Sequence, residues 1–595
     1  MRHFQLEVRF PAGSILVGGY SATPKWIDAI HAADQADRPI IPATALRGAL
    51  RESLEAVLRG NHLPACQGGT GQLPGITKAK PVPCQLDQGK PCVACRLFGL
   101  QRGKLDSGER FFSALILGEA SLGEDESAKW QHSPHVSISR SSRSAEDERL
   151  FNYRVPCLIG QKMMACGYLL DDGLRKELEA SVRATTHIGG GRSRGQARVD
   201  LTLHWSEGTE ATPPVPPSDQ DAWVRLTLKS PAAIGSQTVD NNIRDSRAEI
   251  PGTMLRGAIG FALAKGLVDP DHDRALQSLV AAETGAQFGF LFPTTNDEAQ
   301  GKSCAPWPIT AKACKFEPTK HPVVDTVFER IAVALLQTPA QARQLNQRVH
   351  MKCAEPGCNG PLRGAKGNRG TFRRTDVRLI TRVALDRDTG SAAEGKLFSQ
   401  VLVESGTRFE GAIRNVPPQS QALLASAAAQ PLFIGRGTSA GWGQATLEFL
   451  SPPSGKALTD RGEYFREQLH AFLHAVGVST DKIERYVPVT LLSPLWPSNE
   501  QSDEQTIEQA LGGKVTRWVC KARRFAIDGG WDQRAGELFT GQVVAAGAVF
   551  VAELSSPWPE CLAELQACER HGAGLRRHQG FGQLICFDSL NASKG

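Results

Sequence analysis

The sequence predicts an α+β protein built from tandem ferredoxin-like (RRM-like) modules. Its 595 residues exceed what one hydrophobic core normally organises. A basic hairpin segment followed by a glycine-rich loop occurs three times, with loops at 187–195, 434–443 and 572–582. Self-similarity at this scale marks repeated domains. Within a copy, the order strand, helix, strand, hairpin, helix, strand is typical of the ferredoxin-like fold.

Module one is assigned to residues 1–205. It opens with an alternating strand at 4–10, and a helix begins at Pro42, because proline is favoured in the first turn of a helix. The polar, proline-rich stretch at 206–220 that follows is predicted to be a linker.

Module two, residues 221–452, repeats this opening. Its segment 250–257 (IPGTMLRG) matches the segment 41–48 (IPATALRG) of module one. A linker helix is predicted within 453–484. Module three, residues 485–595, keeps the opening strand but lacks the proline-started helix, so we interpret it as a shorter, divergent copy.

Composition is that of a soluble globular protein, with 41% hydrophobic and 22% charged residues. The 68 basic and 62 acidic residues give a net charge of +6, which is compatible with nucleic acid but does not require it. The first residues alternate in polarity, unlike a signal peptide, and no apolar run has membrane-spanning length. We therefore expect a cytoplasmic protein with no membrane partner.

Basic side chains are concentrated in the closing loops and in the hairpins before them. Glycine lets a backbone approach a ribose-phosphate chain, and arginine donates bidentate hydrogen bonds to phosphate. One such loop alone is more often a solvated turn, but three copies favour contact with RNA or DNA. The predicted contacts in these segments are Arg140, Arg192, Arg194, Arg382, Arg436, Arg576 and Arg577.

Two groups of metal-ligating residues predict structural zinc sites. In module one the loop is rich in glycine and proline and poor in apolar residues, so a metal would hold it together. The predicted ligands there are Cys66, Cys84, Cys92 and Cys95. In module two the predicted ligands are Cys314, His321, Cys353 and Cys358, with Cys304 as an alternative to His321. The remaining cysteines are interpreted as buried thiols.

Acidic loops precede the proline-started helices. Module one carries Asp28, Asp34 and Asp37 in this loop, and module two carries Asp240 and Asp245. A loop aspartate facing a phosphodiester can hold a divalent cation or orient a ribose 2′-hydroxyl. Helix capping and loop solubility explain the same residues, and the sequence pattern alone favours that simpler interpretation.

Taken together, these motifs resemble the RAMP superfamily, the crRNA-binding backbone proteins of type III CRISPR effectors. Module one resembles the backbone subunit, and residues 221–590 resemble the D-subtype, cap-like RAMP protein, so the chain resembles a natural fusion of the two. The motifs that carry this resemblance are 41–48, 92–99 (CVACRLFG), 135–140 (HVSISR), 189–195, 239–245 (VDNNIRD), 288–293 (FGFLFP) and 379–382 (LITR).

The resemblance implies a fold of RAMP modules with β-hairpin thumbs and zinc-stabilised insertions. It implies that the chain grips crRNA and its 5′ handle and cleaves complementary target RNA with Mg²⁺ or Mn²⁺ through Asp28, and through Asp240 in module two. Implied partners are crRNA, target RNA, a large subunit, a small subunit and further backbone RAMP subunits. Further implied RNA contacts are Arg47, Arg244, Arg256, Arg517, Lys521, Arg523 and Arg524.

Three other functions stay open at this point. The chain can be a crRNA-binding scaffold without catalysis, in which case changing Asp28 leaves activity unchanged. It can be a metal-independent endoribonuclease that processes pre-crRNA, with His31, His135 or His187 as general acid or base. An unrelated metabolic zinc enzyme is the remote alternative, against which the repeated basic loops argue.

Overall fold

The structure is a computed structural model that describes most of the chain. None of the helices in this described part is both long and apolar enough to cross a lipid bilayer. The described residues are 2–11, 15–19, 27–34, 36–65, 91–99, 113–123, 126–192, 195–206, 214, 220–240, 243–263, 270–280, 285–294, 304–349, 352–353, 355–365, 369, 377–385, 392–452, 456–498, 500–532 and 537–588.

Module one is a mixed helix and strand unit with one main sheet. Its elements are β1 (Arg2–Arg9), β2 (Gly18–Gly19), β3 (Ala29–His31), β4 (Ile40–Ile41), α1 (Ala43–Gly60), α2 (Val93–Phe98), β5 (Leu115–Leu117), β6 (Ala120–Ser121), β7 (Lys129–Ile138), β8 (Ala145–Cys157), β9 (Lys162–Leu169), α3 (Arg175–Ala184) and β10 (Asp200–Trp205). The sheet order is β10-β1-β9-β6-β4, with β5 also paired to β9. Leu46, Leu50, Leu54 and Leu58 form a buried stripe along α1, so one face of this helix packs into the core.

Module two repeats this arrangement. Its elements are β11 (Ala222–Leu228), β12 (Gly235–Asp240), β13 (Ile243–Ser246), α4 (Gly252–Leu263), α5 (Pro270–Val280), β14 (Gln287–Phe288), β15 (Phe292–Pro293), β16 (Ala311–Cys314), β17 (Val324–Asp325), α6 (Val327–Leu335), α7 (Pro339–Arg348), β18 (Leu362–Gly364), β19 (Val377–Leu385), β20 (Ala392–Val403), β21 (Arg408–Arg414), α8 (Gln421–Ala428), β22 (Leu432–Phe433) and β23 (Gln444–Leu450). The main sheet has the order β14-β21-β11-β23-β22, and β11 buries every second residue against the helices.

A second, four-stranded sheet projects from each of the first two modules. In module one its order is β2-β3-β8-β7, and in module two it is β12-β13-β20-β19. Each contains a long antiparallel hairpin, β7–β8 or β19–β20, whose second strand pairs in parallel with the acidic-loop strand β3 or β13. The acidic loop and the protruding hairpin are therefore parts of one sheet.

Module three contains a smaller sheet. The elements of this last part of the chain are α9 (Leu458–Val476), β24 (Tyr486–Leu491), α10 (Asp503–Ala510), β25 (Val515–Ala522), β26 (Phe525–Asp532), β27 (Glu537–Val544), β28 (Val549–Leu554), α11 (Leu562–His571) and β29 (Leu584–Cys586). The sheet order is β25-β28-β24-β29, and β26 and β27 form a separate hairpin.

The helix predicted as a linker is part of the module three core. Along α9, Phe465, Leu469 and Leu473 are buried in the same hydrophobic cluster as β24 and β28. The cluster also contains Val327 and Ile331 of α6, which lies in the insertion between β15 and β19. The insertion predicted within module two therefore packs against module three, because the apolar face of α6 is buried among apolar side chains of α9, β24 and β28.

Each junction between modules is made by the closing glycine loop of the later module. Gly441, at φ +74°, lies on module one, where a Cβ atom at this position would be 2.3 Å from the Cα atom of Gly118. Gly580, at φ +87°, lies on module two, where a Cβ atom would be 2.5 Å from the carbonyl oxygen of Phe288. Both contacts bring backbone against backbone and require the absence of a side chain.

The two junction loops are held by the same hydrogen bonds. Ser230 donates its hydroxyl to the Gly441 carbonyl at 2.6 Å and accepts from the Gln444 N–H at 2.9 Å. Ser493 makes the corresponding bonds with Gly580 and Gln583, at 2.7 and 2.8 Å. The repeat in sequence is therefore a repeat in how consecutive modules dock.

Replacing Gly441 with asparagine is expected to destabilise the junction of modules one and two by about 1–3 kcal/mol. Asparagine tolerates the left-handed backbone, so the cost comes from the new side chain meeting Gly118. Limited proteolysis and thermal unfolding measure the effect. Gly406→Asn is the matched control, since Gly406 also has φ +82° but has no atom near its Cβ position among the described residues. Equal stability of the two variants would contradict the close contact.

Candidate nucleic-acid interface and metal centre

Asp28 joins the acidic loop of module one to its protruding hairpin. The Asp28 N–H donates to the Asn152 carbonyl at 2.9 Å, and the Asn152 N–H donates to Asp28 Oδ2 at 2.6 Å. Asn152 lies on β8, where β3 begins its parallel pairing. Asp28 is exposed, so its carboxylate is both fixed by the hairpin strand and open to solvent. This arrangement suits a group that contacts a ligand lying along the hairpin.

The other two acids of this loop have structural roles. Asp34 accepts hydrogen bonds from the backbone N–H groups of Ala36 and Arg38, each at 2.9 Å, and thereby shapes the turn. Asp37 accepts two hydrogen bonds from Arg154 of β8, whose guanidinium stacks 4.2 Å from the Trp130 ring centre. These pairs secure the turn and the base of the hairpin.

The two hairpin sheets share one register. In module one Ala29 pairs with Tyr153, and in module two Ile243 pairs with Ser399. Tyr153 and Ser399 each precede by seven residues the left-handed glycine of the turn that ends the hairpin. Ala29 and Ile243 therefore occupy corresponding positions.

This register corrects the expected correspondence between Asp240 and Asp28. By this register Asp28, which precedes Ala29, matches sequence position 242, and residue 242 lies outside the described residues. Asp240 ends β12, the strand that corresponds to β2 and pairs antiparallel with β13. Distance from the proline-started helix does not define this correspondence. The segment between β3 and α1 is longer than the segment between β13 and α4.

The protruding hairpins carry exposed apolar side chains, and the hairpin of module one also carries a set of half-buried rings. On module one, Ile138 is 64% and Leu150 is 66% exposed. His135, Phe151 and Tyr153 form a ring ladder on the same hairpin, with centroids 5.0–5.7 Å apart. Flat rings at such a position can stack on nucleic-acid bases. In the sequence, the signal for these side chains is the alternation at 135–140, which places every second residue on the same face of the hairpin.

Two of the predicted RNA-contacting arginines are turned into the protein, and this corrects their assignment. Arg47 donates to the carbonyl oxygens of Leu115 and Phe98 and to the Ser113 hydroxyl, at 2.6–3.0 Å. Burial lowers the pKa of Arg47 to about 10. Arg256 donates to the Val280 carbonyl. The arginine of the Leu-Arg-Gly motif therefore hydrogen-bonds each proline-started helix to neighbouring elements, which are α2 and β5 in module one and α5 in module two.

Other predicted arginines lie on the surface of modules one and two. Arg140 is exposed at the hairpin tip, and Arg244 and Arg436 are exposed in module two. Arg192 is exposed and pairs with Glu52 at 3.2 Å, beside a cleft of about 370 Å³ between α1 and the closing loop. Arg194 lies outside the described residues, and so does the side chain of Arg382.

In module three, three of the predicted cations are engaged by acids. Arg517 pairs with Glu553, Lys521 with Glu504 at 2.6 Å, and Arg523 with Asp503 at 2.6 Å. Hydrogen bonding to Glu553 raises the pKa of Arg517, and Lys521 lowers the pKa of Glu504. These cations offer less charge to a polyanion than the composition of the segment suggests.

The exposed basic surface of module three lies nearer its closing loop. Arg524 and Arg577 are exposed. Arg576 stacks on Phe539 of the β26–β27 hairpin with 4.1 Å from its guanidinium carbon to the ring centre, and lies 5.0 Å from the Trp496 ring centre. A guanidinium held against aromatic rings in this way keeps its N–H groups oriented as donors to phosphate or to a base.

The second predicted metal centre is assembled. Ligand atoms of Cys314, His321, Cys353 and Cys358 all lie within 4.8 Å of one another. The sulfurs of Cys314 and Cys358 are 3.8 Å apart, and Cys353 Sγ is 3.4 Å from His321 Nδ1. Two thiolates bound to one tetrahedral Zn²⁺ at about 2.3 Å each lie roughly 3.8 Å apart. This group contains His321 and not Cys304, the alternative that the sequence leaves open.

The surroundings of this centre favour a thiolate at Cys314. Backbone hydrogen bonding from Glu317 lowers the pKa of Cys314 to about 6, with a further contribution from His321. The Gly360 N–H points at Cys358 Sγ at 3.4 Å, and a Cβ atom on Gly360 would come within 3.0 Å of Cys314 Sγ. N–H groups directed at sulfur are the usual outer shell of a zinc–thiolate site. The residues present fit structural zinc.

The first predicted centre is described only in part. Cys66 and Cys84 lie outside the described residues. Cys92 and Cys95 are buried at the start of α2, and Arg51 donates to Cys95 Sγ at 3.2 Å. This half of the predicted site is folded into the module one core.

Of the histidines proposed as general acid or base, His31 is buried. Its Nδ1 accepts from the Val17 N–H at 3.1 Å, and desolvation lowers its pKa to about 4. His135 belongs to the ring ladder and His187 contacts Thr186 Oγ1 at 2.9 Å beside the cleft. A neutral, enclosed His31 is unsuited to acid–base chemistry on RNA.

Replacing Cys358 with serine is expected to lower the zinc content by one ion per chain, because a tetrahedral site then loses one of its four ligands. Inductively coupled plasma mass spectrometry on purified protein measures this. Cys304→Ser is the matched control, a buried cysteine outside the ligand group, and should keep the wild-type content. Equal zinc in Cys358→Ser and the wild type would contradict the assignment.

Comparison with known proteins identifies a family and distant structural neighbours. The family model described as the RAMP superfamily matches residues 15–199 and 225–446, more than half of the chain. No curated protein matches the chain significantly in sequence.

Two solved chains illustrate the structural comparison. A chain of the cryo-EM structure of the Type III-B Cmr-beta bound to cognate target RNA is 12% identical, with a TM-score of 0.24; the match covers 34% of this chain and 60% of that one. A chain of the Type III-B Cmr-beta complex bound to cognate target RNA and AMPPnP, state 1, is 13% identical, with a TM-score of 0.29, covering 55% of this chain and 86% of that one.

Proposed function

The chain belongs to the RAMP superfamily, and from this premise we propose that it is a crRNA-binding subunit of a type III CRISPR effector that cleaves complementary target RNA through module one. The observation that carries the proposal is the attachment of Asp28, through two hydrogen bonds to Asn152, to strand β8 of the protruding, ring-bearing hairpin. A guide–target duplex lying along this hairpin meets the carboxylate where the hairpin displaces a base. Recognition of sequence then comes from guide pairing, and the protein reads backbone and shape.

Within this proposal Asp28 is the residue of module one that would hold Mg²⁺ or Mn²⁺. The cation would act as a Lewis acid that stabilises charge on the phosphodiester. The chain itself contributes the fixed carboxylate, the rings of Phe151 and Tyr153 that separate neighbouring bases, and Arg140 at the hairpin tip for the phosphate backbone.

We further propose that the modules are ferredoxin-like, with module three as a cap. For module one, the ferredoxin-like assignment is supported by the strand order β10-β1-β9-β5 and by the packing of α1 beside α3. For module two, it is supported by the strand order β23-β11-β21-β14. Arg524, Arg576 and Arg577 form the basic surface of module three that suits the 5′ handle of the guide. The proposed assembly adds a large subunit, a small subunit and further backbone RAMP subunits.

Asp28→Asn is expected to slow cleavage of a guide-complementary RNA at least about a hundredfold, with guide binding unchanged. The amide keeps an oxygen that accepts from Asn152, so the variant removes charge and leaves the loop geometry. Single-turnover cleavage with Mg²⁺ or Mn²⁺ measures the rate at each cut position.

Two controls accompany this variant. Asp172→Asn alters an exposed carboxylate paired with Arg2 in the same module and should cut normally. Asp240→Asn should also cut normally, because Asp240 is not at the position corresponding to Asp28. Normal cutting by Asp28→Asn, with its guide bound, would leave the chain as a scaffold and place the chemistry in another subunit.

Arg577→Ala is expected to weaken guide RNA binding. The slope of log K for guide binding against log salt concentration should become shallower by roughly 0.7, which corresponds to the loss of one phosphate contact on a single strand. Filter binding across a salt series gives both quantities. Arg183→Ala, an exposed arginine on α3 next to Glu179, should leave them unchanged. An unchanged slope for Arg577→Ala would remove this residue from the handle site.

A further inference from the structure

Helix α9 carries a polar stripe on the side opposite its buried face. Phe465, Leu469 and Leu473 on the buried side pack into the module three core. Steps of four, three and four residues return to one side of an α-helix, and exposed residues of α9 follow these steps. They are Glu463, Glu467, His470 and His474, which we call the histidine stripe. Two carboxylates are therefore followed by two imidazoles along one solvent-facing line.

The two imidazoles of the stripe lie against each other. The ring centres of His470 and His474 are 6.2 Å apart, and their planes are inclined by only 14°. Within the described ranges, neither ring has a hydrogen bond or an ion pair with another residue, so their nitrogen atoms are open to a ligand. Two histidines four residues apart on one helix face are a zinc-binding arrangement in proteins.

Carboxylates on the same line attract a cation to this pair. Glu467 precedes His470 by three residues, the Glu-x-x-His spacing with which helices bind metal ions in carboxylate-containing bundles. Neither Glu463 nor Glu467 forms an ion pair in the part of the chain that the structure describes. Arg466, which lies four residues before His470, instead pairs with Glu484 at 3.4 Å. The stripe thus offers negative charge next to two nitrogen ligands.

The end of the helix accounts for only one of the two histidines. His474 lies in the last turn of α9, where the carbonyl groups of a helix C-terminus favour a positive side chain. His470 lies one turn earlier, and the effect of the helix end falls off within the last turn. Stabilisation of the helix end therefore leaves the aligned pair unexplained, whereas metal binding explains both positions.

We propose that His470 and His474 bind one divalent transition-metal ion, Zn²⁺, Ni²⁺ or Cu²⁺, on the outer face of α9. Imidazole nitrogen suits these ions, whereas Mg²⁺ and Ca²⁺ prefer oxygen ligands. The site is separate from the cysteine–histidine group of the insertion, whose members lie between residues 314 and 358. An ion that joins two successive turns stabilises the end of α9, the helix that packs in one core with α6 and β24. Metal binding at the stripe thus strengthens the contact of the insertion with module three.

Nickel titration of the full-length protein tests this site. The protein carries no polyhistidine tag, is saturated with zinc at the cysteine–histidine group and is freed of unbound metal before Ni²⁺ is added. Isothermal titration calorimetry measures the affinity and the number of bound Ni²⁺ ions, and inductively coupled plasma mass spectrometry measures the zinc that remains. His474→Gln removes one ligand from an exposed position, so this variant should fold as the wild type does. His62→Asn is the matched control, because His62 is an exposed histidine outside the stripe with φ +57°, a backbone that asparagine tolerates.

The wild type and His62→Asn should bind one Ni²⁺ ion with the same affinity, and His474→Gln should bind it at least about tenfold more weakly. Adding Glu467→His to His474→Gln should restore binding, because residues 467 and 470 are neighbours on one helix face. Adding Gln468→His instead should not restore it, since residues two apart on a helix do not face each other. Equal Ni²⁺ affinity in the wild type and His474→Gln, or equal rescue by the two added histidines, would overturn the proposal.

Hydrogen exchange shows where the ion binds. Ni²⁺ should slow amide exchange over the last two turns of α9 in the wild type and leave it unchanged in His474→Gln, because only an ion held by both histidines ties the two turns together. The zinc content should stay the same throughout. Slowed exchange around Cys314 and Cys358, or zinc released by Ni²⁺, would place the ion at the cysteine–histidine group and refute the site on α9.

Discussion

The contact on which the rest of the structure depends is the approach of a left-handed glycine in one module to the backbone of the module before it. Gly441 on Gly118, and Gly580 on Phe288, leave no room for a side chain. Contacts between backbones cannot repack as side chains do, because their positions are fixed by the sheets that carry them. These two contacts set how three separate cores are arranged in one chain.

A second constraint joins the proposed chemistry to the protruding hairpin. Strand β3, which lies in the acidic segment of module one, is an inner strand of the hairpin sheet. On either side of it, Asp28 is hydrogen-bonded to Asn152 and Asp37 to Arg154. A hairpin that moves therefore carries its carboxylate with it. The group that would act on RNA and the rings that would deform it are kept in register by one short parallel strand pair.

The cysteine–histidine group lies in a segment that belongs to module two in sequence and packs against module three. Cys314 is the last residue of β16 in a small three-stranded sheet, and Cys358 precedes its strand β18 in the chain. Helix α6 of the same segment enters the core around β24 and α9. A metal held there would fix a crossing between modules as well as a loop. Arg369 pairing with Asp588 adds a polar tie across the same boundary.

The sequence by itself determined the repeat, the α+β class, the hairpins and the four members of one cysteine–histidine group, because periodicity, turn glycines and ligand spacing are local properties. Three assignments depended on tertiary structure. Arg47 turns inward because carbonyl groups of α2 and β5, far from it in sequence, accept its hydrogen bonds. Asp240, at the end of β12, does not precede Ile243 as Asp28 precedes Ala29, because strand register, and not distance along the chain, defines equivalence. The glycine loops are docking elements because their neighbours come from another module, more than a hundred residues away in sequence.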